Sequence, residues 1–190
     1  FLLAGSVLCS SAAGAEDHWR RVVTPHFTYF SASPPEDVAQ TAHQLESMAV
    51  VLGQLGLGAP VGCRPRTVLI GFADRKTFDP HRPLVDGRPI KVEGYCMSLP
   101  FGMWIGFLES EERGRLIARH EFAHTVVSDA FWRVPSCLNE GIAEFLSTFQ
   151  VQDDKASFGH PLDWQRYVVQ SSDLLSLDEL LAARPESVNA

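Results

Sequence analysis

The sequence predicts an α+β domain of short strands and amphipathic helices, and three observations carry that prediction. Short runs rich in β-branched and aromatic residues occur at Val22–Ser31 (VVTPHFTYFS), Thr67–Phe72 (TVLIGF) and Gly102–Leu108 (GMWIGFL), each with the length and composition of a strand or a pair of short strands. Longer segments with apolar residues at helical spacing lie between and after them. A chain of 190 residues, 45% hydrophobic and 21% charged, has the composition of a globular protein and the length to bury a substantial core.

In chain order, residues 1–15 (FLLAGSVLCSSAAGA) are uncharged, apolar and then small, and end in Ala13-Gly14-Ala15 before the charged pair Glu16-Asp17. This is the pattern of a signal peptide lacking its start, and it predicts an exported protein, periplasmic or extracellular. The apolar run is too short to cross a bilayer, so no stable membrane span is expected. Leu8 before Cys9 is a poor match to a lipoprotein cleavage site. Export permits disulfides; Cys63 and Cys96 are the expected pair, and Cys137, at an apolar helix start, is expected to be a buried, inert thiol.

The first helix is expected from Pro34 to about Leu55, with Ser33 as N-cap, Glu36 and Asp37 in the first turn, and Val38, Ala42, Leu45, Ala49 and Leu52 on one face. Gly56 and Gly58 end it, and His43 reads as a surface residue. Residues Asp74–Glu93 carry Asp79-Pro80-His81-Arg82-Pro83 and Asp86-Gly87-Arg88-Pro89, which is the chemistry of turns. Ser110, Glu111 and Glu112 open a second helix. Its stripe Leu116, His120, Ala123, His124 and Val127 is expected to point inward, with Arg113, Arg115 and Arg119 on a solvated face and an end near Ser128 or Asp129. A third helix starts at Pro135-Ser136 with Ser136 as N-cap. A hairpin follows, turning at Asp153-Asp154-Lys155, and the capping box Ser176–Glu179 opens a last helix that stops before Pro185. Residues 16–160 thus read as the main domain and 161–190 as a C-terminal helical extension of it.

The second and third of these helices carry the chemistry. His120-Glu121-Phe122-Ala123-His124 places two imidazoles one helical turn apart on one face, the spacing that grips a single Zn²⁺. Glu121, between them, is placed to reach a water on that metal. A third ligand is needed, and Glu140, in Asn139-Glu140-Gly141-Ile142-Ala143-Glu144, supplies a carboxylate; Glu144, four residues on, shares its face. Unpaired imidazoles on a buried stripe are costly, which argues against two satisfied core histidines.

HEFAH followed by NEGIAE resembles the gluzincins, the thermolysin-like metallopeptidases, and especially bacterial peptidase-MA-like domains with the pattern H-E-x-x-H…P-x-W-L-N-E-G-x-A-E. The resemblance implies a zincin-like fold: a twisted sheet on the HExxH helix, whose edge strand pairs with extended substrate, and a second helix bearing the glutamate ligand. It implies one Zn²⁺ held by His120, His124 and Glu140, with Glu121 as general base and Glu144, together with Asn139, in the layer around the ligands. The family usually adds a Tyr or His to stabilise the oxyanion; Tyr95, His160 and Tyr167 are the residues available for that role. The chain departs from the pattern in two places. Fifteen residues separate His124 from Glu140, fewer than in the thermolysin and membrane-aminopeptidase branches, and Cys137 stands where the pattern has Trp.

The expected function is therefore zinc-dependent peptide hydrolysis, with a peptide or protein as substrate. Two other readings share the residues: a non-catalytic module stabilised by zinc, and a zinc hydrolase acting on another amide or ester. The net charge of −7 and the absence of any basic run longer than two residues exclude nucleic acid as an expected partner.

Overall fold

The computed structural model describes residues 19–58, 67–100, 102–131, 135–153, 155–171 and 174–182, with backbone alone for 128–131 and 171. The expected signal-peptide segment 1–15 with Cys9, the Cys63 half of the expected disulfide, Asp154 of the expected turn and the chain beyond Ala182 lie outside the described residues.

Two short strands, β1 (Arg20–Val23) and β2 (Phe27–Ser31), form an antiparallel pair. The helix α1 (Pro35–Gln54) then carries the chain to β3 (Thr67–Phe72), which lies parallel to β2. Pro34, rather than Ser33, is the N-cap of α1, at φ −50° and ψ 145°, with no side-chain cap bond. The cause is local: a residue before proline is driven to extended backbone, so Pro35 forbids Pro34 a helical conformation. Ser33 is buried instead, its N–H donating to Ser31 Oγ at 3.0 Å. At the other end Gly56, at φ +74°, lets the chain turn away, and the Leu57 N–H bonds back to Leu52 O.

The 74–93 stretch is more structured than its turn residues suggest. Asp74 caps a one-turn helix, α2 (Arg75–Phe78), by accepting from the Thr77 N–H at 2.8 Å, and a two-residue hairpin follows, β4 (Leu84–Val85) with β5 (Arg88–Pro89). The chain returns through the edge strand β6 (Gly94–Leu99) and its antiparallel neighbour β7 (Gly102–Leu108), which is parallel to β3. The five-stranded mixed sheet has the order β1-β2-β3-β7-β6, and the whole is an α+β fold.

One face of this sheet holds the main core. Phe27, Tyr29, Leu69, Ile105 and Phe107 meet Leu45, Met48 and Leu52 of α1 there, together with Phe122 from the helix α3 (Glu112–Phe131). Phe122 sits edge-on to Phe27 with centroids 5.4 Å apart. The opposite face carries a smaller cluster, Phe72, Phe78 and Leu108, against which Tyr95 packs. At the junction of β7 and α3, Gly114 is needed for close approach: a Cβ there would lie 2.0 Å from the Leu108 carbonyl oxygen, which cannot move aside. The buried Glu109 at the same junction accepts from the Tyr29 hydroxyl and from Ser31 Oγ, tying β2 to the start of α3.

Over residues 112–127 of α3 the buried residues are Gly114, Ala118, Phe122, Ala123 and Val127; Leu116, His120 and His124 are half-buried. The histidines therefore flank the buried stripe instead of forming it. Arg119 also departs from expectation. Its side chain is only 14% exposed, with Nε donating to Ser147 O at 2.6 Å and Nη2 to Glu112 at 2.8 Å. A guanidinium at the last carbonyls of a helix meets its negative end, and here it clamps α4 (Ser136–Ser147) to α3. The N-cap of α4 is Pro135, because the Leu138 and Asn139 N–H groups both bond to its carbonyl, so Ser136 is already helical. A small hairpin, β8 (Gln150–Gln152) with β9 (Lys155–Ser157), and two mostly exposed helices, α5 (Asp163–Ser171) and α6 (Leu177–Ala182), complete the description. Ser176 and Glu179 form the reciprocal capping box at α6. No helix among the described residues is long and apolar enough to cross a membrane.

Candidate metal centre

Packing α4 along α3 brings Glu140 over the two histidines. His120 and His124, one turn apart on α3, have ring centroids 4.9 Å apart, and their Nε2 atoms face each other at 3.2 Å. Glu140 Oε2 lies 3.2 Å from His120 Nε2 and 3.5 Å from His124 Nε2. These three residues form the group of ligand atoms, among the described residues, that could hold a metal ion. Hydrogen bonding alone accounts poorly for this triangle. A neutral imidazole nitrogen offers either one N–H or one lone pair, yet His120 Nε2 faces both Glu140 and His124 Nε2. Three lone pairs aimed at one central point need no such double use.

The tautomer of His120 follows from its other side. Nδ1 faces Glu144 Oε2 at 3.2 Å; a carboxylate only accepts, so Nδ1 carries the proton and the Nε2 lone pair is left for a metal. His124 is less well served: its Nδ1 is buried with no hydrogen-bond partner among the described residues. The two glutamates of α4 therefore have different places, Glu140 at the ligand triangle and 59% exposed, Glu144 behind His120 and 28% exposed. The Asn139 side-chain amide makes no hydrogen bond to His120, His124 or Glu144; its backbone N–H closes the first turn of α4.

Glu121 is half-buried between α3 and the edge strand. Burial pushes its carboxyl above the usual carboxylate range, the charges of His120 and His124 oppose that shift, and Glu140 adds to it. Its neighbour is Cys96. Gly94 of β6 approaches Ile117 of α3 so closely that an added Cβ would lie 2.7 Å from its side chain. Two residues along a strand advance about 6.8 Å and four along a helix about 6 Å. The contact after Gly94–Ile117 is accordingly Cys96–Glu121, where the thiol hydrogen-bonds to the carboxylate. Among the described residues Cys96 is thus a free, half-buried thiol facing α3, its expected partner Cys63 lying outside them. Cys137 is also free and half-buried, less enclosed than expected.

Burial, and then the adjacent Glu121, push the Cys96 thiol up to about 12. Only the thiolate is alkylated, and relative to an ordinary thiol this leaves about a thousandfold less of it at pH 8. Cys96 is expected to remain unmodified by iodoacetamide at pH 8 while a solvent-exposed thiol reacts fully; peptide mapping by mass spectrometry checks this.

The three residues considered for an oxyanion role are not brought together. Strand alternation puts Tyr95 on the sheet face opposite α3, stacked on Phe78 with centroids 6.1 Å apart, so the sheet separates its hydroxyl from the histidines. His160 is exposed, its Nε2 3.0 Å from Ser157 Oγ and its backbone N–H bonded to Thr148. Tyr167 is 71% exposed on α5.

Cys96 and Gln165 escaped the sequence. Strand alternation could have found Cys96, since Gly94 and Cys96 share the face that meets α3. Nothing in the sequence points to Gln165, which donates to Glu144 Oε1 at 2.7 Å from a helix 21 residues away. No protein-family model, curated protein or solved structure matches this chain.

Proposed function

We propose that the protein is an exported zinc-dependent peptidase of gluzincin type in which His120, His124 and Glu140 hold the metal and Glu121 is the general base. The observation that carries this reading is the ligand triangle with edges of 3.2, 3.2 and 3.5 Å. A tetrahedral zinc site with bonds of about 2.0–2.1 Å has ligand-to-ligand edges of about 3.3–3.4 Å. The donor set also suits the ion, with two imidazoles, one carboxylate and a fourth position left for water or substrate. Zinc held there supplies a Lewis acid that lowers the pKa of a bound water to about 7 and polarises a carbonyl.

The chain's own residues do the rest. The proton on His120 Nδ1, held toward Glu144, keeps Nε2 available as a ligand. Glu121, close to the ligands but not among them, accepts a proton from the attacking water on its carboxylate and delivers it to the leaving amine. The sheet edge at β6 lies alongside, with Cys96 donating to the same carboxylate.

Profiling of a peptide library by mass spectrometry, with and without chelator, tests the proposal. Cleavage is expected with zinc and is expected to disappear with chelator. Chelator-sensitive thermal stability without turnover of any peptide would point to a zinc-stabilised binding module instead.

A further inference from the structure

We infer that Gln165 is a positioning residue for the metal site, acting through Glu144 on His120, an inference that rests on the zinc reading above. Among residues 163–170 of α5, Gln165 alone is not exposed. Its amide is fixed at both ends. Nε2 donates to Glu144 Oε1 at 2.7 Å, and Oε1 accepts from the Leu162 N–H at 2.9 Å. Turning the amide over would set its oxygen against the carboxylate and its NH₂ against an N–H, so the orientation is determined by its partners.

Glu144 has two oxygens and two jobs. With Oε1 occupied by Gln165, Oε2 is left facing His120 Nδ1 at 3.2 Å. The charge-assisted bond from Gln165 restrains the Glu144 rotamer, and a restrained Glu144 fixes both the His120 tautomer and the direction of its Nε2 lone pair. The chain of contacts therefore runs from the first turn of α5 through Gln165 and Glu144 to a metal ligand. A peripheral helix, otherwise largely in solvent, sets the aim of an imidazole on α3.

Substitutions in the layer around metal ligands typically weaken metal affinity 10–100-fold. Gln165 stands one residue further out, so Gln165→Met, which keeps the side chain's length but not its donor, is expected to weaken zinc affinity about tenfold. Gln165→Ala should do the same. Zinc affinity is read by competition with a chromophoric chelator, in the parent and in a Glu144→Ala background, as a double-mutant cycle. Acting through Glu144, both Gln165 substitutions should change affinity less than about twofold once Glu144 is gone. Affinity in Gln165→Met equal to the parent's would overturn the relay while leaving the zinc site standing. An equal loss with and without Glu144 would also overturn it, since that is the signature of a general packing defect. A parent chain that competes for no zinc would overturn the zinc reading and the relay together.

Discussion

Glu121→Gln is expected to keep its zinc and lose hydrolysis by about 10²–10⁴-fold, the range ascribed to a general base. Glutamine has the shape of glutamate but cannot take a proton from water, so the change removes one chemical ability with little change in volume. The ligand triangle is built from His120, His124 and Glu140, without Glu121, so metal content should remain that of the parent. Turnover of a cleaved library peptide, measured beside zinc content on the same preparation, separates the two effects. Cleavage by Glu121→Gln at the parental rate would show that another group is the base.

Glu140→Ala is expected to do the reverse and act on the metal first. It removes one of the three proposed protein ligands, so zinc affinity should fall by more than about 100-fold, beyond the usual cost of changes around a ligand set. Glu140 is 59% exposed, so the metal-free protein should unfold within about 0.5 kcal/mol of the parent. Zinc content after dialysis and urea unfolding in chelator check the two halves of this expectation. Parental zinc content in Glu140→Ala would remove α4 from the metal site.

The sequence was most legible where periodicity and burial agree. The buried face of α1, from Val38 to Leu52, lies at helical spacing, and the apolar runs at Thr67 and Gly102 are the two parallel neighbours at the centre of the sheet. Boundaries were lost to local stereochemistry, as when Pro35 forced the helix start past Ser33. The burial of α3 was misjudged because a stripe drawn through the histidines ignores which neighbour each face meets. Gly114, Ala118 and Phe122 meet the sheet and α1, and the histidines turn toward α4. Arg119 looked solvated because a single helix cannot reveal that the end of another helix lies across it.

In the site, helical spacing alone juxtaposed His120 with His124 and Glu140 with Glu144. What it could not supply was the separation of the two glutamates, one at the candidate ligand triangle and one behind His120, which depends on how α4 is laid on α3. The Gln165 bond is further still from any local signal, since it joins two helices through one amide.

Zinc K-edge X-ray absorption on the loaded protein tests the central claim most directly. The account predicts one zinc per chain with a shell of nitrogen and oxygen alone at about 2.0–2.1 Å and the outer-shell scattering of two imidazoles. A sulfur shell at about 2.3 Å would bring Cys96 or Cys137 onto the metal and contradict it.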